Sequence, residues 1–87
     1  MVLEQQEAII EAVLFSMGES VELEKIAEVL ELSKEETKNI IYGMMKKYEK
    51  ENRGIQIIEI EDAFQMCTRK EMYEYLIKIA KQPKRHV

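Results

Sequence analysis

This sequence predicts an α+β, mainly helical fold, on three observations. Residues 23–31 and 34–51 both carry apolar side chains at helical spacing, and only Leu32 and Ser33 separate them, as in a helix-turn-helix. The β-branched run Ile55-Gln56-Ile57-Ile58-Glu59-Ile60 comes next, and Phe64 to Cys67 returns after a short acidic turn, which reads as a β-hairpin. A further helical segment follows the hairpin. The plan is that of a winged helix-turn-helix: three helices, a β-hairpin wing and an additional C-terminal helix.

The elements follow in chain order. Residues 3–17 hold no Gly or Pro, and Gly18 comes directly after them, where a left-handed C-terminal stop favours glycine. Val21 fits a short edge strand before the second helix. Ser33 opens the third helix with a capping box, its hydroxyl taking an early backbone N–H while Glu36 reaches back three residues. That helix ends near Asn52-Arg53-Gly54, and Glu61, Asp62 and Ala63 turn the hairpin. Thr68 with Glu71 forms a second capping box and opens the fourth helix over residues 69–81, which Pro83 closes. Residues 1–81 then make one domain, and 82–87 begin a linker.

Length and composition limit what the chain does. Its 87 residues suit a single domain, and an apolar share of 46 % is ample for a core. No apolar run reaches the roughly 18 residues of a membrane span. The start Met1-Val2-Leu3-Glu4-Gln5 has no basic-then-apolar leader, and Cys67 has no partner for a disulfide; a cytoplasmic protein is expected. The net charge of −4 is unevenly spread. Residues 1–32 carry eight Glu and one Lys, whereas residues 69–87 carry six Lys and Arg and two Glu. An acidic front and a basic tail suit association with protein better than broad phosphate binding.

The residues give little material for catalysis. His86 is the only histidine, Asp62 the only aspartate, and Cys67 has no histidine near it in sequence. A thiolate nucleophile there would lack a base, and Cys67 reads as a small half-buried hydrophobe. No Cys or His spacing suits a metal, and Gly18, Gly43 and Gly54 are too scattered to cradle a phosphate. Neither an enzyme nor a cofactor is expected.

A winged helix raises DNA binding, because the second helix of a helix-turn-helix enters the major groove with its N-terminal residues. Here that helix opens Lys34-Glu35-Glu36-Thr37-Lys38-Asn39, and the wing turn is Glu61-Asp62. Both would repel the phosphates that supply most non-specific affinity. Direct, sequence-specific DNA reading is not expected. The competing reading is a DNA-binding transcriptional regulator whose basic surface would be Lys46, Lys47, Lys50 and the tail.

The informative feature is apolar excess. In the first helix Leu3, Ile9, Ile10, Val13, Leu14 and Met17 cover one side, yet Ala8, Ala12 and Phe15 occupy the far side. A surface helix needs one stripe a little over 100° wide, so this helix is apolar enough to be covered twice. In the fourth helix Met72, Tyr73, Tyr75, Leu76, Ile77, Ile79 and Ala80 span about 200°. Each face of the wing carries isoleucines, Ile55 and Ile57 on one and Ile58 and Ile60 on the other. Part of this surface is expected to form a protein interface, most simply an isologous dimer. The candidate interface residues are Leu14, Phe15, Ile55, Ile57, Tyr73, Leu76 and Ile77.

An ordered set of residues then carries a family resemblance. Glu11-Ala12-Val13-Leu14-Phe15 followed by Gly18, then Leu23, Ile26, Ala27, Leu30 and Tyr48, resemble segregation and condensation protein B (ScpB). Gly54-Ile55 entering the first hairpin strand and Phe64-Gln65-Met66-Cys67-Thr68-Arg69 entering the fourth helix extend the likeness over nearly the whole chain. The resemblance implies a non-catalytic bacterial protein of two winged-helix domains that dimerises through the first. It also implies action with the kleisin ScpA and, through it, the SMC ATPase in chromosome condensation and segregation, in the cytoplasm at the nucleoid. The likeness covers the family's N-terminal half. The second domain's Tyr-Lys-Gln-Pro-Ile-Thr-Arg-like motif is echoed only by Lys81-Gln82-Pro83, so the chain is expected to be a piece lacking that domain.

Overall fold

The computed structural model describes residues 1–80. Helix α1 runs Leu3–Met17, strand β1 Val21–Glu22, helix α2 Leu23–Leu30, helix α3 Lys34–Lys50, strand β2 Ile55–Ile60 and strand β3 Ala63–Thr68. A 3-10 turn over Lys70–Met72 leads into helix α4, Tyr73–Ala80. The expectation of a linker at 82–87 concerns residues outside those described.

The helix ends follow local chemistry. Gly18 takes a left-handed conformation (φ 69°) and its N–H donates to the Leu14 carbonyl. At the start of α3 the capping box forms: the Glu36 N–H donates to Ser33 Oγ at 3.0 Å, and the Ser33 N–H to Glu36 Oε1 at 3.2 Å. One such cap contributes about 1 kcal/mol. Thr37, fully buried one turn in, satisfies its hydroxyl on the Ser33 carbonyl at 2.9 Å. Three non-glycine residues stand at positive φ where the chain changes direction: Glu31 after α2, Asn52 after α3 and Glu61 at the wing tip.

The Thr68–Glu71 capping box does not form. Thr68 is the last residue of β3, paired with Ile55, and the Arg69 N–H continues the ladder to the Gly54 carbonyl at 2.9 Å. Backbone held in a ladder has no freedom to cap a helix there. Arg69 stays extended, the 3-10 turn intervenes, and α4 begins at Tyr73 instead of residue 69.

The three strands form an antiparallel sheet in the order β1-β3-β2. Val21 pairs with Phe64, and Ile57 with Met66. Alternation along the hairpin sends Ile57, Phe64 and Met66 toward the helices and Ile58, Ile60 and Cys67 to the other face. The core lies between α1, α2, α3 and that inner face. Ile10, Leu14, Ile26, Ile41 and Phe64 are fully buried, with Leu30, Met44 and Tyr48 nearly so. Burying the Phe64 ring contributes about 2–3 kcal/mol. In contrast, α4 has no buried residue, and the molecule is elongated, 47 × 28 × 25 Å.

Candidate interaction surface

Polar contacts lock α1 onto α3 and so fix which side of α1 remains free. Tyr48 donates its hydroxyl to Glu11 Oε2 at 2.8 Å, and Lys47 Nζ meets Glu7 Oε1 at 2.9 Å. The Arg53 guanidinium lies 4.9 Å from the Tyr48 ring centroid, within cation–π range. Burial, together with the bond to the Glu11 carboxylate, pushes the Tyr48 phenol up to about 12. On the opposite edge Tyr42 donates to Glu59 at 2.9 Å and packs edge-on against Phe64. These contacts tie α3 to the wing.

With α1 held in this way, Ala8, Ala12 and Phe15 face outward at i, i+4 and i+7. They form one wall of a shallow groove of about 380 Å³, completed by Glu11, Ile55 and Met66. The two alanines leave room for a helix or strand to approach closely. Phe15, 77 % exposed, stands at one end of the groove.

The second apolar surface is α4. Tyr73, Tyr75, Leu76 and Ile79 are all exposed, Ile79 to 71 %, and Ile77 is half-buried. Lys78 lies with its ammonium 5.7 Å from the Tyr75 ring centroid. At the root of α4, Met72 packs over Gly54: a Cβ on Gly54 would lie 3.8 Å from the Met72 side chain.

The start of α3 and the wing tip present mixed and acidic charge. A hollow between them is lined by Leu23, Lys34, Glu35, Lys38, Asn39 and Asp62, and the adjoining hollow adds Glu22, Glu24 and Glu61. Among the described residues no group of three His, Cys, Asp or Glu side chains is placed to hold a metal ion. No helix of the described chain is long and apolar enough to cross a membrane.

The structure divides the candidate interface residues. Leu14 and Ile57 are core, at 0 % and 3 % exposure, and leave the candidate set, because Leu14 lies on the inner side of α1 and Ile57 on the inner face of the wing. Phe15 and Ile55 belong to the groove, while Tyr73, Leu76 and Ile77 belong to α4. The candidate set lacks Ala8, Ala12, Met66, Tyr75 and Ile79. The first two carry a legible signal, small residues one helical turn apart on the same side as Phe15.

A family model for the segregation and condensation complex subunit ScpB matches residues 8–87. The chain belongs to the ScpB family. ScpB of Lachnoclostridium phytofermentans is 49 % identical over all 87 residues, which cover 46 % of that protein. ScpB of Agathobacter rectalis is 54 % identical over 81 residues, 92 % of this chain and 43 % of that one. The chain thus spans under half the length of these curated relatives. A solved dimer of an ScpB N-terminal domain complexed with an ScpA peptide aligns with a TM-score of 0.83 at 40 % identity, over 88 % of this chain and 96 % of that one. ScpB from Mycobacterium tuberculosis shares the fold, with a TM-score of 0.87 at 17 % identity over 99 % of this chain and 56 % of that chain. The winged-helix architecture expected from the sequence matches these solved ScpB structures.

Proposed function

We propose that this domain is the N-terminal dimerisation module of a non-catalytic scaffolding subunit in a bacterial SMC–kleisin complex. Two copies associate as a homodimer, and the dimer engages the kleisin ScpA and, through it, the SMC ATPase, supporting chromosome condensation and segregation. Residues 1–81 form the module and 82–87 lead toward a second domain. The module acts in the cytoplasm, reaching the nucleoid through its complex, without a cofactor and without reading DNA sequence itself.

The observation that carries this reading is the exposed apolar surface of α1 and α4 in a domain whose 40 %-identical relative of matching length is a dimer holding an ScpA peptide. Exposed tyrosine, isoleucine and phenylalanine of this kind are typical of interface anchors. The acidic start of α3 and the acidic wing tip support a protein partner over a nucleic acid. The test is molar mass in solution with and without an ScpA segment. Twice the chain mass at micromolar concentration, rising further with ScpA, is the expected outcome. A monomer that ignores ScpA and shifts a DNA duplex in a salt-dependent manner would replace this reading with the regulator.

A further inference from the structure

Resting on that dimer reading and going beyond it, we infer that α4 is a conditional helix: it is unwound in a lone chain and winds up as two copies associate. The wound form described above belongs to the associated state. The sequence of α4 does not sustain a helix by itself. Its eight residues make about two turns, and isolated helices shorter than about 12 residues do not hold in water, because a first turn fixes several residues for a single hydrogen bond. Tyr73, Tyr75, Ile77 and Ile79 are aromatic or β-branched and give up side-chain freedom in a helix. Glu74 and Lys78, one turn apart with the glutamate first, offset only a small part of that loss.

The rest of the domain does not hold the helix either. Helix α2 is the internal control, since it too has eight residues. It buries Leu23, Ile26, Ala27 and Leu30, whereas α4 buries nothing and packs chiefly on its own 3-10 lead. The entry to α4 is poorly nucleated as well. Arg69 precedes the lead without a side-chain cap, and Thr68 is held in the strand ladder. At that same root, Arg69 Nη1 is shut off from water and meets no acceptor among the described residues, which penalises the ordered root. Cover from a second copy supplies what the lone chain lacks. A second copy is the partner because a relative that this chain covers to 96 % of its length is dimeric. The ordering cost then falls at the moment of association, so a single chain does not present the Tyr73, Tyr75, Leu76 and Ile79 strip ready-made.

The experiment uses the whole chain. Hydrogen–deuterium exchange is read by mass spectrometry at two concentrations, one where sedimentation reports the chain mass and one where it reports twice that mass. Amides of Ile77, Lys78 and Ile79 should be unprotected in the monomer and protected in the dimer, while those of α2 are protected in both. Alanine and glycine are also compared at Glu74 and at Lys78, both exposed. The glycine member of each pair should dissociate about 25-fold more readily, because a dimer winds two helices and each loses about fivefold. Both members should melt at the same temperature as monomers. Protected α4 amides in the monomer overturn the inference and leave the dimer reading standing. Equal dissociation constants for alanine and glycine, with a weaker helical signal for glycine in the monomer, overturn it in the same way. Amides that stay unprotected in the dimer overturn it as well. A wild-type chain that is monomeric at about 100 µM removes the dimer reading and this inference together.

Discussion

Helices α1 and α4 are both too apolar for a lone surface helix, yet they use that character in opposite ways. One side of α1 carries Ile10 and Leu14, fully buried in the core, while its Ala8–Ala12–Phe15 side stays exposed. In α4 no residue is buried, so the helix holds to its own domain through its root at Met72 and Arg69. The difference separates apolar residues that make the fold from those that the fold only displays. Substitution in α1's inner side should attack the domain; substitution in α4 should attack only what the domain assembles with.

The largest effect is expected from Leu14→Ala. Removing a side chain with 0 % exposure should cost about 3 kcal/mol and lower the melting temperature of the isolated domain by more than about 10 °C, read by circular dichroism. A smaller loss would mean that α1 is less firmly seated than its burial indicates. Tyr48→Phe sharpens the same side of the comparison. It deletes the hydroxyl that joins α3 to Glu11 and should cost about 1 kcal/mol at neutral pH. A phenol raised on folding from 10.0 to about 12 contributes stability that is intact below pH 10 and is lost as pH rises through 12. Denaturant titrations of the wild type should therefore lose stability across that window, and the Phe variant should lose less. The smallest effect belongs to Tyr75→Ser in α4, exposed at 55 %. It should move the stability of the dilute monomer by no more than about 0.5 kcal/mol, while weakening self-association in sedimentation.

Local chemistry was the legible part of the sequence. The span of α1 follows from an uninterrupted helical run and Gly18, and the Ser33–Glu36 box formed as written because no strand ladder engages the Ser33 N–H. Thr68 carries the same signature and fails, because its backbone is already engaged opposite Ile55. That engagement is non-local, and no spacing within residues 68–71 reveals it. The same limit explains Leu14 and Ile57. Helical and strand periodicity give two apolar faces on α1 and on the wing, but which of them meets the core depends on how β2 and β3 lie over the helices. Phe15 and Leu14 are neighbours in sequence and both apolar, yet one is 77 % exposed and the other not at all. Tyr75 and Ile79 were visible as part of a 200° apolar sweep, and only their exposure in the folded domain, 55 % and 71 %, singles them out.

The left-handed corners at Glu31 and Glu61 have a practical consequence. A side-chain-bearing residue held at φ near 57° gives up about 1 kcal/mol that glycine would not, partly offset by glycine's greater freedom in the unfolded chain. Neither corner lines the Ala12 groove or belongs to α4. The domain therefore keeps a small thermodynamic reserve that engineering could release to harden the scaffold, with its adhesive surfaces left untouched.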